Sequence, residues 1–214
     1  GSGQMIVVSG EAGIGKSRFL QEVIQSARSF GVHVFLGAGQ AVEQNTPYHA
    51  WRPVFIQMFK LQAAMAPDAR AAYILQQLDG DEELARLAPL LNVVLPIDLD
   101  DNEFTEKMSG EVRAYNTHKL LASLLLRSAN DSPVMVVIED AHWFDSASWA
   151  VVRQVIRDVP PVMVFLATRP MPEPFPPEYE EILGQEDTDS IKLAGLTRAD
   201  TSTLIRQRLE VLRL

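Results

Sequence analysis

The chain has 214 residues, with 19 Lys and Arg against 28 Asp and Glu, a formal charge of −9, and 47% hydrophobic residues. That balance excludes disorder as the main state, and the acidic excess argues against a duplex-binding module, which needs basic charge to displace counterions. There is no cysteine, so disulfide scaffolds, thiol nucleophiles and Cys-ligated zinc are excluded and a reducing, cytoplasmic setting is expected.

Gly1-Ser2 reads as a tag remnant, and Gln4–Ser9 as a strand starting almost at once. After the loop Gly10–Ser17, apolar residues Phe19, Leu20, Val23, Ile24, Ala27 and Phe30 recur at helical spacing, and Gly31 stands where a helix-ending glycine belongs. Val32–Leu36 reads as a second strand. From 38 to 131 the pattern is mostly helical, with segments near Trp51–Leu61, Pro67–Leu78, Asp81–Ala88 and Gly110–Ala129, broken by the acidic loop Asp98–Glu103. The apolar stretch Leu87–Ile97 is interrupted by Pro89, Asn92 and Pro96 and is too short to span a membrane.

Val134–Ile138 is a continuous apolar run of the kind buried in parallel sheets. Asp145 is placed to cap a helix carrying Trp149, Val152, Ile156 and Val159 inward, and Pro160-Pro161 ends it. Val162–Ala167 is a further strand, followed by a proline-rich loop from Pro170 to Pro177. Ser190–Leu193 is a fifth candidate strand, and Thr197 is placed to cap a last helix with Leu204, Ile205, Leu209 and Leu212 on one face. Strands alternating with helices predict a three-layer α/β fold with a mainly parallel sheet. The whole chain, 1–214, reads as one domain cut from a longer protein, with 38–131 as a helical insertion between the second and third strands.

Gly10–Ser17 matches G-x-x-x-x-G-K-[ST] between a strand and a helix. In such a loop Gly10, Glu11, Ala12, Gly13, Ile14 and Gly15 offer backbone N–H groups to phosphate oxygens. Lys16 carries charge to the β and γ phosphates, and the Ser17 hydroxyl can reach Mg²⁺. Val136–Asp140 ends a strand in two acids. By position Glu139 is the metal-side carboxylate and Asp140 the one that activates the attacking water. His142 is a candidate for sensing phosphate or binding a carboxylate, whereas Trp143 and Trp149 read as packing. Arg169, at the end of the next strand, is a candidate reader of the γ-phosphate. His33, His49 and His118 form no visible metal cluster.

Gly10–Arg18 (GEAGIGKSR), Val136–Trp143 (VVIEDAHW) with the following Asp145–Trp149, and Leu166–Arg169 (LATR) resemble the three nucleotide motifs of the STAND branch of P-loop ATPases, relatives of AAA+ proteins. Val136–Ile156 is most similar to the ATPase region of soluble adenylyl cyclases, and comparable modules occur in large bacterial transcription regulators. The resemblance implies a P-loop NTPase of ASCE type, with a five-stranded sheet in the order 5-1-4-3-2. It implies ATP and Mg²⁺ as ligands, Arg18 beside the phosphate loop, and an ATP/ADP switch that acts on covalently attached flanking domains. The family's Gly-Arg-Glu segment before the first strand is missing, and its winged-helix lid is absent or cut short. No direct nucleic-acid or membrane partner is expected. A binding-only scaffold and a P-loop kinase are the alternatives. A GTPase is disfavoured because Asn-Lys-x-Asp does not occur, Thr197–Asp200 only imitating its outline.

Overall fold

The computed structural model describes residues 4–195, 197, 200, 202, 203 and 206. Five strands, β1 (Met5–Ser9), β2 (His33–Ala38), β3 (Val134–Glu139), β4 (Val162–Thr168) and β5 (Thr188–Lys192), form one parallel sheet. Its order is β2-β3-β4-β1-β5, the expected 5-1-4-3-2 read from the other edge. Within it β1 pairs with β4, so the loop that follows β1 lies beside the chain that follows β4: Gly10 N–H donates to Thr168 O at 3.3 Å.

Side chains alternate across the sheet as a two-residue period requires. Met5, Val7, Val134, Val136, Ile138, Val162, Val164 and Leu166 enter the larger core, together with the helices of the insertion. Val8, Met135, Val137, Phe165 and Ala167 face the other way, where α1 (Lys16–Ser29) covers them with Leu20. That second layer is thin. Leu20 is the one fully buried residue of α1, and Phe19, Val23, Ile24 and Ala27 are half-buried. Phe30, expected on the inner face, is 82% exposed, because the helix ends there and Gly31 turns the chain at φ +76°.

Between β2 and β3 lie α2 (Arg52–Met58), α3 (Pro67–Gln77), α4 (Glu82–Leu87), a 3₁₀ segment (Ala88–Val93) and α5 (Gly110–Asp131). On α5, Thr117, Leu120, Leu121, Leu124 and Leu125 are buried, the i, i+3/i+4, i+7/i+8 stripe of a core helix. The fully buried Trp51 donates its indole N–H to Ser148 O at 3.1 Å, tying the insertion to α6 (Ser146–Asp158). Asp145 caps α6 as expected, accepting from Ser148 N–H at 2.8 Å. Trp149 is packing: it is 3% exposed and stacks near Phe144 and Tyr179.

Two differences from the sequence reading stand out. A seventh helix, α7 (Pro177–Leu183), follows the proline-rich loop and buries Tyr179 and Ile182. The fifth strand begins two residues earlier than expected, at Thr188. Thr197 has the capping geometry expected of it, its Oγ1 accepting from Asp200 N–H at 3.1 Å. The apolar stripe expected beyond it falls outside the described residues. Among the described residues no helix is long and apolar enough to cross a membrane.

Candidate functional site

Strand pairing brings the loop after β1, the end of β3 and the end of β4 to one edge of the sheet, where the carboxyl ends of parallel strands form a ligand crevice. Gly10 is closely enclosed. A Cβ there would meet Ile14 Cγ2 at 2.8 Å and Leu193 O at 3.2 Å. Gly13 and Gly15 have φ +75° and +106°, a region that side chains disfavour. These two residues turn the chain into α1, whose first bond runs from Phe19 N–H to Gly15 O at 2.9 Å. The N-terminus of α1 has no side-chain cap, so its first N–H groups and the positive end of its dipole are open to an anion.

Lys16 lies over this loop, with Nζ donating to Gly10 O at 2.7 Å and to Glu11 O at 2.9 Å. Ser17, one residue on, donates from Oγ to Glu139 Oε2 at 2.5 Å. The neighbouring Arg18 is turned to solvent and pairs with Glu22 at 2.5 Å along the helix, so its side chain takes no part in the loop here. Glu11 and Ala12 are exposed on the loop's outer side.

Beyond Glu139 the backbone of Asp140 turns left-handed, φ +53°. A non-glycine residue held there costs energy and is characteristic of constrained sites. The turn gives the two acids different surroundings: Glu139 meets Ser17, whereas Asp140 Oδ1 lies 3.9 Å from His142 Nδ1. That nitrogen also accepts from Arg169 N–H at 3.5 Å, which links the ends of β3 and β4. Burial holds the His142 pKa below its usual value. The Asp140 charge opposes this, and the Arg169 and Lys16 charges reinforce it. Lys16, Asp140 and Arg169 thus all act on one imidazole. Its Nε2 is buried with no hydrogen-bond partner among the described residues.

The sequence reading missed Gly39. This residue follows β2, and a Cβ on it would lie 2.4 Å from Asp140 O and 3.2 Å from Trp143 Cβ. Its N–H donates to Glu139 O at 2.8 Å, so the chain leaving β2 is seated directly on the acid pair. A glycine at a strand end was the available signal. Tyr48 was also missed. It is buried with φ +61°, its N–H reaches Asp145 Oδ1 at 3.3 Å and its hydroxyl lies 3.1 Å from His118 Nε2. His33 and His118 lie elsewhere, and His49 faces Glu43 at 3.9 Å. Among the described residues no three His, Cys, Asp or Glu side chains gather as a metal cage.

The family model of the AAA ATPase domain matches residues 1–166, and the chain belongs to that family. No curated protein matches it. Among solved structures, it is similar to the STAND protein with a tetratricopeptide repeat sensor from Pyrococcus horikoshii. The two are 16% identical with a TM-score of 0.43, over 97% of this chain and 23% of that one. It is also similar to the ORC1 protein of Aeropyrum pernix in complex with DNA, at 16% identity and TM-score 0.44, over 98% and 44% of the two chains. A third is Drosophila ORC bound to DNA, at 15% and 0.47, over 99% and 42%. The chain spans less than half the length of each.

Proposed function

We propose that this chain is an ATP-binding, slowly hydrolysing switch domain of a larger signalling protein, adenylyl cyclase-like or transcription-regulator-like, with 1–214 a single domain fragment working in the cytoplasm. The observation that carries the reading is the contact of Ser17 with Glu139 beside Lys16. A hydroxyl and a carboxylate oxygen side by side suit Mg²⁺, a hard cation that takes one or two protein oxygens and completes its shell with water and phosphate.

In this reading the N–H groups of Gly13–Lys16 and the dipole of α1 receive the β-phosphate. Lys16 leaves its carbonyl partners to neutralise the β and γ oxygens. Ser17 and Glu139 would hold Mg²⁺, which would supply charge neutralisation to the nucleotide's phosphates. Asp140 stands apart from that pair, accepts a proton from the attacking water and is held by the turn at its own backbone. Arg169, at the end of the neighbouring strand, distinguishes ATP from ADP through the γ-phosphate. His142, whose Nδ1 accepts from Arg169 N–H, joins the end of β4 to the turn that carries Asp140.

Phosphate release from Mg·ATP tests the reading. Wild type should turn over, and Asp140→Asn should be slower by about a hundredfold or more, the loss expected of a general base, with ATP still bound. ATP binding without release by wild type would support a scaffold instead, and transfer of phosphate to an acceptor other than water would support a kinase.

A further inference from the structure

A cleft of about 630 Å³ opens at the other end of the sheet, against edge strand β2 and between the ends of α1, α2 and α5. Arg28 lines it. That residue is twelve positions after Lys16, about 18 Å along the helix axis, so the cleft is separate from the nucleotide crevice and does not depend on that reading. We infer that this cleft is a binding site for a small organic anion with a planar apolar body.

Three observations carry the assignment. The first is charge. Arg28 and Lys60 both line the cleft, and neither side chain has an ion pair or hydrogen bond among the described residues, although acids outnumber bases in the chain by 28 to 19. Among the described residues Asp131 is the one carboxylate on the wall.

The second is the backbone of Lys60. It stands at φ +53° just past α2, with its N–H on Gln57 O at 3.1 Å and Leu61 N–H on Ile56 O at 3.0 Å. This is the helix-ending position that glycine fills at least cost. A lysine there carries a backbone cost that glycine would not, and its side chain lines the cleft.

The third is the wall itself. Gln57 spans Leu36, accepting from its N–H at 3.1 Å and donating to its carbonyl at 2.7 Å, while also donating to Pro53 O at 2.8 Å. The amide closes the edge of β2 at Leu36 and fixes one side of the cleft. The half-buried Phe35 and Tyr73 add aromatic surface, with the buried Phe59 behind them. The volume is in the range of small-molecule sites, and the wall is mixed, with aromatic rings set among polar and basic side chains.

Fluorescence titration with 1-anilinonaphthalene-8-sulfonate tests this, with N-phenyl-1-naphthylamine as the same body without the charge. Sulfonate binding should be saturable, and neutral-probe binding weaker by about tenfold or more. Arg28→Gln and Lys60→Gly should each raise the sulfonate dissociation constant about tenfold. Lys60→Gly also relieves the left-handed backbone, so its Tm should equal or exceed that of wild type, which separates lost binding from lost folding. Phe30→Ser, beside the apolar groove lined by Val23, Ala27 and Met163, should leave binding unchanged. No sulfonate binding, equal affinity for both probes, unchanged affinity in both cleft variants, or loss of binding in Phe30→Ser would each overturn the assignment.

Discussion

Ser17 Oγ donates to Glu139 Oε2 at 2.5 Å, joining two residues 122 positions apart. One opens α1 and the other closes β3, and they meet although the strands carrying them are not neighbours: β4 lies between β1 and β3. The loop after β1 therefore reaches across the end of β4 to the acid pair. If these two oxygens share a cation when nucleotide is bound, Glu139→Gln should weaken the magnesium dependence of ATP binding while leaving metal-free binding near wild type. Titration of ATP with and without Mg²⁺ checks this. If Glu139→Gln abolishes turnover with metal binding intact and Asp140→Asn loses the metal, the two roles are reversed.

Arg169 is expected to read the γ-phosphate. A switch moves only by the difference in affinity for its states. Arg169→Ala should therefore weaken binding of a non-hydrolysable ATP analogue about tenfold, one contact worth about 1.4 kcal/mol, and weaken ADP much less. Equal losses for both nucleotides, or none, would remove it from that role.

Gly39→Ala should disturb the site without touching a charged group. The added methyl would press on Asp140 O from 2.4 Å, and the opposing atoms belong to backbone that cannot rotate away. A loss of about 1–3 kcal/mol, typical of overpacking, is expected in urea unfolding, together with reduced phosphate release. A variant with unchanged stability and turnover would show that β2 does not brace the acid pair.

The place of the glycine loop between β1 and α1, the strand ending at Glu139 and the first four strands were legible because each is a local signal: glycines at fixed spacing, or an apolar run ending in charge. The sheet order came from resemblance, since pairing between strands leaves little mark on any one of them. Gly39 and Tyr48 were not legible for the same reason. What makes Gly39 necessary is a carbonyl about a hundred residues later in the chain, at Asp140. Phe30 was misplaced because helical periodicity does not say where a neighbouring layer ends, and α7 was hidden by prolines that precede it rather than interrupt it.

Acid should destabilise the fold through its histidines. Burial holds His118 below its ordinary pKa, with the Arg153 charge adding to the effect and Asp145 opposing it, and His142 is shifted in the same direction. A histidine whose folded pKa lies below its unfolded value takes up its proton more readily in the unfolded chain. Stability is thus undiminished above the unfolded value, about 6.5, and falls as the pH drops below it toward the folded values. The Tyr48 hydroxyl beside His118 stays neutral throughout, its own pKa being pushed up to about 12, chiefly by burial. The Tm should fall between about pH 7.5 and about pH 5.5, a window that brackets free histidine, and fall less in His118→Gln. An equal drop in that variant would assign the acid sensitivity to other groups.

Calorimetric titration of wild type and Lys16→Ala with Mg·ATP tests the central claim that this strand-loop-helix is a nucleotide site. Lys16 Nζ is held against Gly10 O and Glu11 O, over the loop whose N–H groups would receive the phosphates. A charge-assisted contact to phosphate contributes about 1.5–3 kcal/mol, so wild type should bind and Lys16→Ala should bind at least tenfold more weakly, a factor set by that range. Equal ATP affinity of the two proteins would contradict the account.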